Sequence, residues 1–150
     1  MVRKKKGKAT LVGPKPVRVR SYQRLSPGSK IFLSYPYRAN RDEVKNVRSR
    51  LGKLYKVVEA ENLPKKGSVR DFQQRVAEAI SESDAVVAVL PAESPATSTI
   101  GEIAFAHAKG KRVYVVSKKR RDLVRYLADQ YYQSANDLPG DLPDTDTPAK

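Results

Sequence analysis

Six consecutive residues, Ala85-Val86-Val87-Ala88-Val89-Leu90, are all apolar and half of them are valine, with Asp84 just before them and Pro91 just after. A strand with no polar alternate has no face to give to water, so both of its faces must be covered. Helices packed on the two sides of a parallel sheet meet that demand. The rest of the chain supplies the other pieces. Ile31-Phe32-Leu33-Ser34-Tyr35 is entered from Pro27-Gly28 and stopped by Pro36, which reads as another buried strand. Residues 55–60, around Val57-Val58, and residues 112–116 read as two more. Between them lie helical patterns. Val44, Val47, Leu51 and Leu54 recur at helical spacing in residues 38–54. Ser68 is placed to cap a helix over 69–81, with Asp71 in its first turn and Phe72, Val76, Ala79 and Ile80 inward. Residues 99–109 are rich in alanine and end at Gly110, and 121–132 read as a last helix with Leu123, Val124, Leu127 and Tyr131 inward. Strands alternating with helices predict a three-layer α/β domain over 30–132, flavodoxin-like or Rossmann-like, with a mostly parallel sheet.

The two ends of the chain read differently. Residues 1–28 hold Lys4-Lys5-Lys6 and four glycines or prolines from Gly13 to Pro27, with few apolar positions, and are expected to form a basic, disordered arm. Val17, Val19 and Tyr22 in it are candidates for a short edge strand. Residues 133–150 carry four aspartates, three prolines and one lysine, the pattern of a disordered acidic tail. The net charge of +14 is therefore uneven: residues 1–30 have ten basic side chains and no acid, and residues 31–132 have 19 basic against 12 acidic. Such a balance favours polyanions or phosphorylated small molecules as partners. With no cysteine and only His107, a thiolate or multi-histidine metal site within the chain is excluded, and no cofactor is expected. No apolar run is long enough to span a membrane, and the basic N-terminus lacks the apolar segment of a secretory signal. A cytoplasmic location is the expectation.

In a parallel α/β sheet the ligand crevice lies beyond the carboxyl ends of the strands. Here that means residues 34–38, 59–62, 91–101 and 117–120. Within and after the third of these runs Ser98-Thr99-Ile100-Gly101-Glu102-Ile103-Ala104-Phe105-Ala106. A helix starting at Thr99 puts Glu102 in its first turn above the sheet, with Ala104, Ala106 and Ala108 small enough for a close approach.

Taken together, Ser83-Asp84 before the apolar strand, Gly101-Glu102-Ile103-Ala104-Phe105-Ala106 after the loop, and Gly110-Lys111 before the next strand resemble the nucleoside 2-deoxyribosyltransferase superfamily. That group includes deoxynucleoside 5'-monophosphate N-glycosidases. The resemblance extends over about a hundred residues and takes in the first strand and the loop after it. It implies a glutamate nucleophile, matched here by Glu102, which attacks the anomeric carbon, displaces the base and leaves a glycosyl ester for water or another base to resolve. It also implies a homodimer or higher oligomer, in which Tyr131, Tyr132 or Asn136 are candidates to complete a neighbour's site. The chain departs from the family pattern at Ser98 and Ala104, where glycines are usual, and at Val76 and Ala96, where aspartates are usual. The last two leave the departing base without an evident proton donor, for which Glu61 is the substitute candidate.

Ser34, Tyr35, Tyr37 and Arg38 follow the first strand and are candidates to meet sugar, base or 5'-phosphate, the last through a bidentate guanidinium. Ser98 and Thr99, at a helix N-terminus, are candidates to donate to a phosphate. Asp84 precedes its strand and so falls on the far side of the sheet, a structural position. His107 and the Lys118-Lys119-Arg120-Arg121 run read as ordinary surface. Two functions remain open: N-glycosyl cleavage or transfer on a nucleoside or nucleotide, or a catalytically weak or inactive relative that binds nucleotide or nucleic acid through residues 1–24.

Overall fold

The computed structural model describes residues 24–119 and 121–144. Most of the basic arm, including the candidate edge strand, lies outside the described residues, as do Arg120 and residues 145–150.

The apolar run forms β3 (Ala85–Leu90), the centre of a five-stranded sheet. In chain order the elements are β1 (Lys30–Ser34), α1 (Arg41–Gly52), β2 (Lys56–Glu59), α2 (Val69–Ser81), β3, α3 (Thr97–Ala108), β4 (Arg112–Ser117), α4 (Asp122–Leu127) and β5 (Gln130–Tyr132). The strands lie in the order β2-β1-β3-β4-β5, every pairing parallel. Ser68 and Asp71 close a reciprocal capping box at the start of α2, and Gly110 turns the chain after α3 with a φ of 77°. Asp84 stays structural: its carboxylate accepts from the Lys30 amide at 2.7 Å, at the far end of the sheet from the crevice.

Because side chains alternate across a strand, each strand feeds two cores. Ile31, Leu33, Val87, Val89, Tyr114 and Val116 point to one side, and Phe32, Val86, Ala88, Leu90, Val113 and Val115 to the other. The second side is covered by α2, α3 and α4 through Val76, Ile80, Ile103, Ala106, Val124 and Leu127. Among the described residues the first side has one α-helix, α1, which contributes Val44, Val47 and Leu51.

What completes that side is the chain beyond residue 132. A short 3₁₀ turn (Ala135–Asp137) leads into an extended strap in which Ala135, Leu138 and Leu142 are buried against Tyr114, Val116 and Tyr55. Polar ties hold it down. The Leu25 amide donates to Leu142 O at 2.7 Å, the Leu142 amide to the Tyr55 hydroxyl at 2.8 Å, and the Tyr114 hydroxyl to Pro143 O. Arg112 pairs with Asp144 at 3.0 Å. The folded body therefore runs on past the boundary at 132 as far as 144, because two leucines among the prolines and aspartates cover what α1 leaves bare.

The second difference concerns the last helix, which ends at Leu127 rather than continuing to Tyr132. Asp129 exchanges two bonds with Val113: its amide donates to the Val113 carbonyl and its carboxylate accepts from the Val113 amide, both at 2.8 Å. That exchange pins Gln130-Tyr131-Tyr132 beside β4 as a fifth strand, a conformation that suits aromatic residues. Leu123 is exposed instead of inward, and so is Leu54 after α1. Among the described residues no helix is long and apolar enough to cross a membrane, and no group of His, Asp and Glu is arranged to hold a metal ion.

Candidate active site

The chain runs from β1 through α1 to β2 on one side, then returns through α2 to β3 on the other. The order of the sheet therefore reverses between β1 and β3, and a crevice opens beyond their carboxyl ends. A cavity of about 540 Å³ occupies it, a size suited to a nucleoside-sized ligand. Its apolar wall comes from Phe72, Val76 and Ile80 of α2 and Phe105 of α3; its polar groups come from the end of β1, from the segments after β1 and β2, Lys65 among them, from α3, and from Arg41 of α1 and Gln73 of α2.

Glu102 lines this cavity and accepts a short hydrogen bond from the Ser34 hydroxyl at the end of β1. Burial pushes its carboxyl above the ordinary glutamate value, and the Ser34 bond opposes that shift. The helix begins two residues earlier than the sequence implies, at Thr97, so Glu102 stands in its second turn, beyond the strongest part of the helix dipole. Of the three small residues expected against the sheet, only Ala106 is buried; Ala104 and Ala108 face outward.

Six other candidates meet the same cavity or fall outside it as follows. Tyr35, Tyr37, Glu61 and Ser98 line it together with Ser34 and Glu102, whereas Arg38 and Thr99 do not. Arg38 is exposed on the loop after β1, and Thr99 turns its side chain inward, where its hydroxyl is buried with no hydrogen-bond partner. Tyr37 is 88% exposed at the mouth. Val76 lies in the apolar wall, and Ala96 sits in the left-handed region (φ 52°) just before α3, the only non-glycine residue with positive φ among those described. Tyr131 and Asn136 are engaged within their own chain, the Tyr131 hydroxyl with Lys119 O and Asn136 with Asn46 and Arg50.

A second carboxylate, missed in the sequence, organises the rim. Glu59 ends β2 almost completely buried, accepts from the Tyr35 hydroxyl at 2.6 Å, and takes a two-pronged bond from the Arg48 guanidinium. Burial alone would raise its pKa, but the bonds from Arg48 and Tyr35 outweigh burial and hold it below the ordinary value. Burial and the Glu59 carboxylate push the Tyr35 phenol well up, so it stays protonated. Arg41 stacks over the Tyr35 ring at 5.5 Å and pairs with Glu61 at 2.8 Å, and this bond keeps Glu61 ionised. Arg48 lies eleven residues from Glu59, with no local pattern to link them, and only the α1–β2 packing brings them together.

Arg121 is not part of a solvated basic run. Its guanidinium reaches under the loop before α3 and donates to Pro91 O at 2.7 Å, to Ser94 O, and to Pro95 O at 3.2 Å. Those carbonyls have no place in helix or sheet, so the arginine satisfies them and fixes the loop that starts the Glu102 helix. Arg121→Ala is expected to lower stability by about 1.5–3 kcal/mol, as for hydrogen bonds to a charged donor. Urea unfolding reads this, and Arg121→Lys should recover part of it.

The fold is shared with solved structures of other proteins. A 2-deoxyribosyltransferase from the psychrotolerant bacterium Bacillus psychrosaccharolyticus superimposes with a TM-score of 0.59 at 18% identity, over 73% of this chain and 89% of that one. A conserved protein from Enterococcus faecalis gives 0.55 at 18% identity, over 74% and 94%. A CMP N-glycosidase from Clostridium botulinum gives 0.50 at 19% identity, over 72% and 92%. No protein-family model matches the chain, and neither does any curated protein. At these identities the likeness establishes the fold: a parallel α/β domain of the kind seen in a 2-deoxyribosyltransferase and an N-glycosidase.

Proposed function

We propose that this protein cleaves or transfers the N-glycosyl bond of a nucleoside or nucleoside 5'-monophosphate, with Glu102 as the nucleophile. The observation that carries the reading is the place of Glu102: inside the cavity at the β1/β3 reversal, aimed by Ser34, on a fold shared with two proteins named for such chemistry. A Glu102 oxygen attacks the anomeric carbon, the carbon–nitrogen bond breaks with its electron pair going to the base, and a glycosyl ester remains. Water or a second base then attacks the same carbon and frees the carboxylate. Ser34 aims the nucleophile and favours its charged form. Tyr35, Tyr37, Glu61 and Ser98 contact the sugar and base, and the apolar wall takes the flat face of the base.

The Ser34 bond gives this mechanism a pH signature. The nucleophile must be ionised, and the bond favours that form. In Ser34→Ala the Glu102 pKa rises further, so activity is lost at a higher pH on acidification than in the wild type. kcat/KM on the plateau should fall about tenfold to a hundredfold, the weight of one hydrogen bond to a charged group. A pH–rate profile of both proteins reads the shift.

The reading itself is tested by incubating the purified chain with nucleosides and 5'-monophosphates and following free base by chromatography. Release of base supports it. No release from any substrate by a folded protein would favour the alternative, a nucleotide- or nucleic-acid-binding protein acting through its basic arm.

A further inference from the structure

When an N-glycosyl bond to a neutral base breaks, its electron pair leaves negative charge on the base, and a proton delivered at that moment cancels it. Glu61, the carboxylate at the rim, does not carry that proton, because the bond from Arg41 at 2.8 Å keeps it ionised. Beside it stands an ammonium. Lys65 lines the same cavity as Glu102, and its Nζ lies over the Phe72 ring, 5.7 Å from the centroid. Phe72 belongs to the apolar wall, so a base packed flat on that wall brings its edge to the ammonium. The loop that carries Lys65 is held on both sides. Arg75 of α2 donates from one Nη1 to Pro64 O at 2.9 Å and to Lys66 O at 2.8 Å, the carbonyls immediately before and after Lys65. The ammonium itself donates to the Glu61 backbone carbonyl at 3.1 Å, which engages one of its three protons. The side chain is thus fixed at both ends, its backbone by Arg75 and its head by a carbonyl and an aromatic face.

We infer that Lys65 is the acid of the glycosyl reaction: it gives a proton to the departing base and takes one back when the ester is resolved. This rests on the glycosyl reading above and adds a second catalytic residue to it. Glu102 forms its bond to the anomeric carbon, the carbon–nitrogen bond breaks, and its electron pair goes to the base. An Nζ proton passes to that base, which leaves neutral, and Lys65 remains as an amine. Water then attacks the anomeric carbon, and the ester bond to Glu102 breaks. The amine accepts the proton that the water loses. The products are the neutral base and the free sugar, with the Glu102 carboxylate and the Lys65 ammonium both restored. A second base in place of water gives up its N–H proton in the same way.

The experiment measures kcat/KM for base release by the full chain as wild type, Lys65→Met and Lys65→Arg. Guanosine and uridine 5'-monophosphates, in ribo and 2'-deoxyribo forms, are paired with their 7-methyl and 5-fluoro derivatives, whose bases leave more readily without a proton. 7-Methylguanine carries a positive charge on its ring before the bond breaks and departs as a neutral molecule. Both variants are expected to lose about a hundredfold or more on the unmodified nucleotides, the usual weight of general acid catalysis. The loss should be at least about tenfold smaller on the 7-methyl member, with the 5-fluoro member between. Lys65→Arg keeps the charge but cannot release its proton, so it should do no better than Lys65→Met. Equal losses across each pair would mean that Lys65 only binds or supports, and recovery by arginine would mean that charge alone suffices. Either result, unchanged rates, or wild-type release from the modified members alone would overturn the inference and leave the glycosyl reading standing. No release from any of these nucleotides by folded wild type would overturn both.

Discussion

Glu102→Gln is expected to reduce base release by roughly 10³- to 10⁵-fold, the usual cost of removing a catalytic nucleophile, while the protein stays folded. Glutamine matches glutamate in shape, and its amide oxygen still accepts from the Ser34 hydroxyl, so the second turn of α3 keeps its place beside β1. Burial already disfavours the charge on Glu102, and its removal carries no stability penalty from that source. Thermal unfolding should therefore give a midpoint equal to or above that of the wild type. An unchanged rate with unchanged substrate affinity would remove Glu102 from the mechanism.

The second large effect lies on the opposite side of the sheet. Leu138 and Leu142 are both fully buried, over strands that α1 does not reach. Each leucine-to-alanine change at such a site costs about 2–5 kcal/mol. The double variant Leu138→Ala, Leu142→Ala should thus lose about 4–10 kcal/mol, comparable to the whole stability of a domain this size. Deleting residues 134–150 should expose Val87, Val89, Tyr114 and Val116 together and give an aggregating or unfolded chain. The exposed Leu123 serves as control, and Leu123→Ala should stay within about 0.5 kcal/mol of the wild type. Urea denaturation of the three proteins decides the matter: a double variant as stable as the control would mean the strap covers nothing that needs covering.

These two sites mark what the sequence can and cannot tell. The β3 run is legible because six apolar residues with no polar alternate allow one solution, a strand buried on both faces. The Ser68 cap and the Gly110 stop are legible because their chemistry is local. Glu102 stands out through its position after that strand and through family resemblance. The strap was hidden because composition averages over it: four aspartates and three prolines conceal two leucines whose value depends on a bare patch elsewhere. Residues 130–132 fit a helical period through Tyr131, and the Asp129–Val113 exchange that makes them a strand is a tertiary contact. The Arg48–Glu59–Tyr35 network is invisible for the same reason, since its members come from three elements. Thr99, one residue from Ser98, was separated from it only by where α3 starts and which way its first turn faces.

Trapping the covalent intermediate tests the central claim most directly. The wild-type chain is quenched in acid during turnover, digested, and its peptides weighed. The account predicts a glycosyl adduct on the peptide containing Glu102, which disappears when the substrate is exhausted. Steady base release with no adduct on that peptide, or with the adduct on another carboxylate, would contradict it.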